Sequence, residues 1–137
     1  MAEKTTIFKM YDDLKNAVKS VVELKYIFYG QRPDFKQADL DAVDKFIVIE
    51  LPVGIEDYAA GNNRFHLTTT GVFYLFSKAR ENKTFKIESL SNYAEQIVEL
   101  FPIKGEYIAA TNPNILIRGT DEYGFQIVTI TFDVHTK

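Results

Sequence analysis

His66 and His135 are the only imidazoles in the chain, and there is no cysteine. Thiolate nucleophiles, disulfides and Cys-ligated metals are therefore excluded, and two histidines make no metal site without a third ligand. Asp133 and His135 share one face of a C-terminal strand. If the two longest strands of the chain pair, His66 approaches them and a carboxylate–imidazole group results. The acid pairs Asp12/Asp13, Asp39/Asp41 and Glu56/Asp57 fall on a wet helix face or in loops, where they read as solubilising charge. Gly54 and Gly61 belong to no GxGxxG or GxxxxGK[ST] pattern, and no Ser sits in GxSxG. The sequence thus predicts no catalytic residue, no cofactor and no metal; it does not read as an enzyme.

Composition narrows the remaining classes. A chain of 137 residues, 46% hydrophobic and 14% aromatic, fits one domain over residues 1–137. Such a chain buries about two thirds of its unfolded surface and needs no covalent staple. Nineteen acids against sixteen Lys and Arg give a net charge of -3. That balance speaks against holding nucleic acid through its phosphates. The charged N-terminus, MAEKTTIFKMYDDL, lacks a signal-peptide pattern, and no run of 18 apolar residues occurs, so a soluble cytoplasmic protein without membrane contact is expected.

The elements follow from periodicity. Ile7, Met10, Tyr11, Leu14, Ala17, Val18, Val21 and Val22 form a helical stripe within Thr5–Glu23, capped by Thr5 or Thr6, with Asp12, Asp13, Lys15, Asn16, Lys19 and Ser20 on the wet side. Leu24–Tyr29 suggests a short strand, residues 30–45 a long polar loop with one helical turn near Ala38–Val43, Phe46–Val53 a buried strand, and Gly54–Asn63 another loop. Leu90, Tyr93, Ala94, Ile97, Val98 and Phe101 mark a second helix, capped by Ser89 or Ser91 and ended by Pro102. Glu106–Ala110 and Ile115–Arg118 are short strands separated by a TNPN turn, and Asp121–Gly124 turns into a last strand, Phe125–Val134. The predicted class is α+β, a mainly antiparallel, curved sheet packed with two amphipathic helices.

Arg64–Phe76 keeps strand composition for 13 residues. Straight, it would span roughly 43 Å, against a domain diameter of about 37 Å. It must bend, with Gly71 as the natural bulge or kink, or project as an arm. One face of this strand and one of the last are apolar and suit a core. The other face mixes Thr with aromatics and aliphatics. It is too apolar for open surface and too polar for a core, and helix-covered layer and subunit interface both fit it. Phe65, His66, Thr68, Thr70, Thr129 and Thr131 are the candidate subunit-interface residues. A pocket lined by Tyr74, Phe76, His66 and His135 is the alternative, in a small ligand-binding domain or enzyme; a bacterial interaction module is the third class.

The N-terminal helix, the FIVIELP strand, the RFHLTTTGVFYLFSKA strand, the LSNYAEQIVELF helix and the closing hairpin together resemble the tail terminator, or tail completion, proteins of long-tailed bacteriophages. Family elements of the "PFIVI" and "LANRVIELL" kinds answer to Phe46–Glu50 and Leu90–Leu100. Those of the long strand and last hairpin answer to Val72–Ser77 and Ile115–Phe132. The chain departs from the pattern in its acidic Gly30–Lys45 loop and its extra Gly54–Asn63 loop. The resemblance implies a virion or prophage structural protein without a catalytic motif. It also implies a homo-oligomeric ring, often a hexamer, that caps the tail tube and offers the head-joining surface. Tail tube and head–tail connector proteins are then its partners, and its place is the host cytoplasm during assembly and the virion tail afterwards.

Overall fold

The computed structural model describes residues 6–30, 42–51, 56–60, 64–79 and 85–136. Helix α1 spans Thr6–Val18 and helix α2 spans Ile87–Val98. The strands are β1 Ile27–Tyr29, β2 Lys45–Glu50, β3 Glu56–Ala60, β4 Arg64–Lys78, β5 Ile103–Lys104, β6 Ile108–Thr120 and β7 Phe125–Thr136. They form one strongly curled sheet in the order β1-β2-β4-β7-β6-β5, with β3 on β4. Only β1 with β2 is parallel among the described pairs. The class is α+β, as the periodicity predicts, with the parallel pair making the sheet mixed.

Both helices are held by their predicted stripes. Met10, Leu14 and Val18 recur every four residues and are all fully buried, while Leu90, Tyr93, Ala94 and Ile97, at spacings of three and four, are buried on α2. They pack on Ile47, Ile49, Phe73, Leu75, Val128, Ile130, Phe132 and Val134, the apolar face of the sheet. Burial of this kind contributes about 1.5–3 kcal/mol per large side chain. The opposite face carries a smaller core of Val43, Phe46, Val48, Phe76 and Phe125. There Phe46 stacks on Phe76 at 4.4 Å and meets Phe125 edge-on at 5.2 Å.

Several sequence expectations change. The first helix stops at Val18, short of Glu23, although Val22 stays in the core. Asp13, placed on the wet side by periodicity, is buried instead. Its carboxylate accepts the N–H groups of Glu106, Tyr107 and Ile108 at 3.2, 2.7 and 2.9 Å and so fastens α1 to the start of β6. A Cβ on Gly105 would run into that carboxylate, which explains a glycine there. Neither Ser89 nor Ser91 caps α2: the cap position is Lys86, without a side-chain bond. Ser89 donates instead to the Lys86 carbonyl, and the buried Gln126 accepts the Lys86 N–H and donates to Ser77 and Ser89. One amide thereby ties β7 to β4 and to the first turn of α2.

The loop expected at Gly54–Asn63 contains β3, antiparallel to β4 from Glu56↔Thr68 to Ala60↔Arg64. The TNPN segment is not a turn but a bulge inside β6: pairing with β7 skips from Thr111 to Asn114, and Asn112 has φ +58°. Gly71 is not a bulge either, because β4 and β7 pair without a shift from Thr68 to Lys78. Gly71 is there because the Phe132 ring occupies the space a Cβ would take. The Asp121–Gly124 turn forms as predicted. Asp121 Oδ1 accepts the N–H groups of Tyr123 and Phe125 at 2.9 Å, and Gly124 takes φ +88°. The predicted loop and helical turn between Gly30 and Lys45 fall largely on residues 31–41, outside the described residues.

Candidate assembly surface

Strand β4 has 15 residues. At ~3.3 Å each its contour is roughly 50 Å, and its neighbours divide it into two parts. From Val72 to Ser77 it is flanked by β2 on one side and β7 on the other. From Arg64 to Thr68 it pairs with β3 on the β2 side, and its register with β7 ends at Thr68↔His135. The β3–β4 hairpin therefore continues past the end of the β4–β7 ladder. The sheet as a whole curls, and the first residues of β4 run on past the β7 ladder as an arm with β3 beside them.

The residues singled out from the sequence separate along this strand. Positions 65, 66 and 68 lie on the arm, where the register sets His66 opposite Tyr58, and Thr68 opposite both Glu56 and His135. Thr70 is half-buried opposite Asp133, and Thr131 is half-buried opposite Val72. Thr129 is 1% exposed and offers no outward contact; its hydroxyl donates to the Leu116 carbonyl at 3.4 Å. Of the six interface candidates, Thr70 and Thr131 thus have partly exposed side chains on the described sheet, while Thr129 serves the β6–β7 pairing.

Asp133 and His135 share the predicted face and are exposed. The Asp133 carboxylate accepts a bond from the Asn112 side chain at 2.9 Å, made possible by the bulge at that residue. Position 66 is the diagonal neighbour of His135 across the ladder, so the two backbones approach as the sequence argument requires. No group of three His, Asp or Glu able to hold a metal occurs among the described residues. Phe76 is packed in the Phe46 stack. Tyr74 is half-buried, and its hydroxyl is pushed up in pKa by burial, then by its hydrogen bond to Glu50 and the charge of that carboxylate, with Arg118 opposing. Concavities occur elsewhere. One of about 390 Å³ lies between α1 and β5 beside Asp13, and another of about 460 Å³ lies at the start of α2, with Lys45, Lys78 and Lys86 on its wall. Neither is lined by Tyr74, Phe76 or His135.

The outer part of β6 carries a feature that helical or alternating periodicity does not single out. Strand β5 covers β6 only at Ala109 and Ala110. Beyond that point Ile115, Leu116 and Ile117 are 50%, 51% and 57% exposed. The signal was present in the letters: three consecutive aliphatics place apolar side chains on both faces of a strand, which suits a strand covered on both sides.

No protein-family profile matches the chain, and no curated protein does. Solved structures do share its architecture. One, for which no function is named, superposes with a TM-score of 0.59 at 13% identity, covering 94% of this chain and 91% of that one. Another is a chain from the virion of a native gene transfer agent particle, with a TM-score of 0.54 at 10% identity, covering 93% and 91%. At these identities, what the chain has in common with both is its fold, over nearly its whole length.

Proposed function

We propose that this chain is a structural subunit of a phage-like particle, a non-enzymatic protein that closes into a ring on the end of the tail tube and gives the head its joining surface. The observation that carries the reading is the arm. A β-hairpin that outruns its own sheet serves an isolated domain poorly, and it suits a subunit that reaches its neighbour. A fold of the same kind in a gene transfer agent virion supports the particle context, and so does the resemblance to tail terminators in the order of elements. No helix among the described residues is long and apolar enough to cross a membrane. The subunit would assemble in the host cytoplasm and remain in the particle, with tail tube and connector proteins as partners. The ring needs no ligand, and no cofactor enters the reading.

The test is to look for a tail tube protein encoded in the neighbouring genes and to co-express it with this chain, followed by negative-stain imaging of the tubes. Tubes ending in a ring that labels for this chain are the expected result. Tubes of unchanged form with the chain left unbound would overturn the reading, as would neighbouring genes free of capsid, connector and tube functions.

A further inference from the structure

We propose that the open edge of β6, from Asn114 to Arg118, is the seat for the β3–β4 hairpin of a second copy of this chain. The proposal rests on the ring reading for its biological setting and names the two surfaces that would build the ring.

The receiving edge has three properties. Its three aliphatics are at least half exposed and consecutive, so both faces of the strand are apolar there. Its main chain is available: the Thr129 hydroxyl reaches the Leu116 carbonyl, which therefore faces β7, and the alternation of an antiparallel strand turns the N–H and C=O groups of Ile115 and Ile117 outward. Its guards stand at the ends only. Pro113 and the two register shifts, Thr111/Asn114 and Ile117/Gly119, bracket the segment without shielding its middle. Natural sheets normally blunt such an edge with charge, proline or a bulge along its length.

The inserting element is fixed by what the chain lacks a partner for. Arg64–Leu67 run on beyond the β7 ladder, with β3 alone beside them among the described pairs. That is an open edge four residues long, facing an acceptor edge five residues long. Strand β7 lies between β4 and β6 in the sheet order, and no described pair joins β3 or β4 to β6 within the subunit. The proposed pairing of the two edges is therefore one between molecules. Because they are different surfaces, the contact is head-to-tail and propagates until it closes. Area separates this arrangement from self-pairing of two β6 edges. Specific interfaces bury about 1,200–2,000 Å², which two five-residue edges alone do not supply, whereas a hairpin adds a second strand.

The cysteine-free chain makes the test direct. Phe65→Cys and Ile117→Cys are purified separately, with tags of different size, mixed over a range of concentrations without tail tube, and treated with a short bismaleimide. The expected product is the mixed conjugate, with loss of that product when the Ile117→Cys partner also carries Leu116→Lys and still melts like the parent. Conjugation of Ile117→Cys with itself in place of the mixed product would overturn the proposal in favour of symmetric edge pairing. Absence of any conjugate at the highest concentration would overturn it outright. A mixed conjugate from a protein that never joins tubes would remove the particle role and leave the edge contact standing; ring-capped tubes formed equally well by Leu116→Lys would do the reverse.

Discussion

Strand β6 contains both of the environments that matter in this protein. Near its start, Ile108 and Ala110 are fully buried. Seven positions after Ile108, on the same strand and against the same partner, Ile115 is half exposed. Residue type does not distinguish them, and neither does β7, which runs beside both. What differs is the other side. The near half has β5 at its edge and the Asp13 carboxylate on the N–H groups of Glu106, Tyr107 and Ile108 that lead into it, whereas the far half has neither among the described residues. Burial in a sheet is set by what closes the edge, and here one strand passes from sealed to open across a single bulge at Thr111–Asn114.

The comparison can be broken most severely from the sealed side. Leu14→Asp or Ile97→Asp places a charge in a fully buried stripe and should cost several kcal/mol, enough to unfold a domain stable by about 5–15 kcal/mol. Circular dichroism should show the loss of a cooperative melt, and a soluble mutant with a normal transition would mean that the stripes are not the core. Asp13→Ala comes next. It strips the acceptor from three N–H groups, and a loss of about 3 kcal/mol in urea unfolding is expected. A change below about 0.5 kcal/mol would show that the near half of β6 holds without its fastening.

Tyr93→Phe sharpens the picture on the α2 side. The Tyr93 hydroxyl is buried and donates to the Phe46 carbonyl at 3.0 Å, and burial pushes its pKa well above 10.0. A folded pKa above the unfolded one means that the contribution is fully present below pH 10 and is lost as the pH rises beyond it. Wild-type protein should therefore lose stability in the alkaline range from this group. The Phe variant should be weaker by about 1–2 kcal/mol at neutral pH, with a shallower alkaline decline; parallel pH profiles would contradict the assignment. The smallest effect on stability belongs to the open side. Ile115→Lys should change the unfolding free energy by no more than about 0.5 kcal/mol while lowering self-association in light scattering. A large loss of stability would show that Ile115 is packed after all. His66→Ala with His135→Ala should leave assembly intact, whereas a measurable activity lost in that double mutant would favour the enzyme alternative.

The sequence carried the locally encoded parts well. The helical stripes, the Phe46–Val53 strand and the Asp121–Gly124 turn each depend on residues within a few positions of one another, and each formed, although the first helix ends at Val18 and the strand at Glu50. What escaped depends on distant partners. Asp12 and Asp13 look alike on a helical wheel, yet only Asp13 meets N–H groups some 95 positions away. The Asn-Pro pair in TNPN is an ordinary turn cue, and a neighbouring strand converted it into a bulge. Strand β3, with its Gly- and Asn-rich flanks, has a loop's composition and becomes a strand only because β4 is long enough to pair with it. The candidate assembly surface was half legible: the excess length of β4 could be read from arithmetic, while the open edge proposed on β6 required knowing that β5 stops after two residues.

Gly71 carries a last consequence. The Phe132 ring fills the place of its missing side chain and also packs against Phe73 at 4.5 Å and Phe101 at 5.3 Å, so positions 71 and 132 share one volume between two strands. Neither is free to vary alone. An alanine at 71 displaces the ring and disturbs the whole aromatic group, and a smaller residue at 132 leaves a void over the glycine. Changed together, Gly71→Ala with Phe132→Leu should each relieve part of the other's defect, giving a non-zero interaction energy in a double-mutant cycle. Across natural variants of this fold, size at one position should rise as size at the other falls.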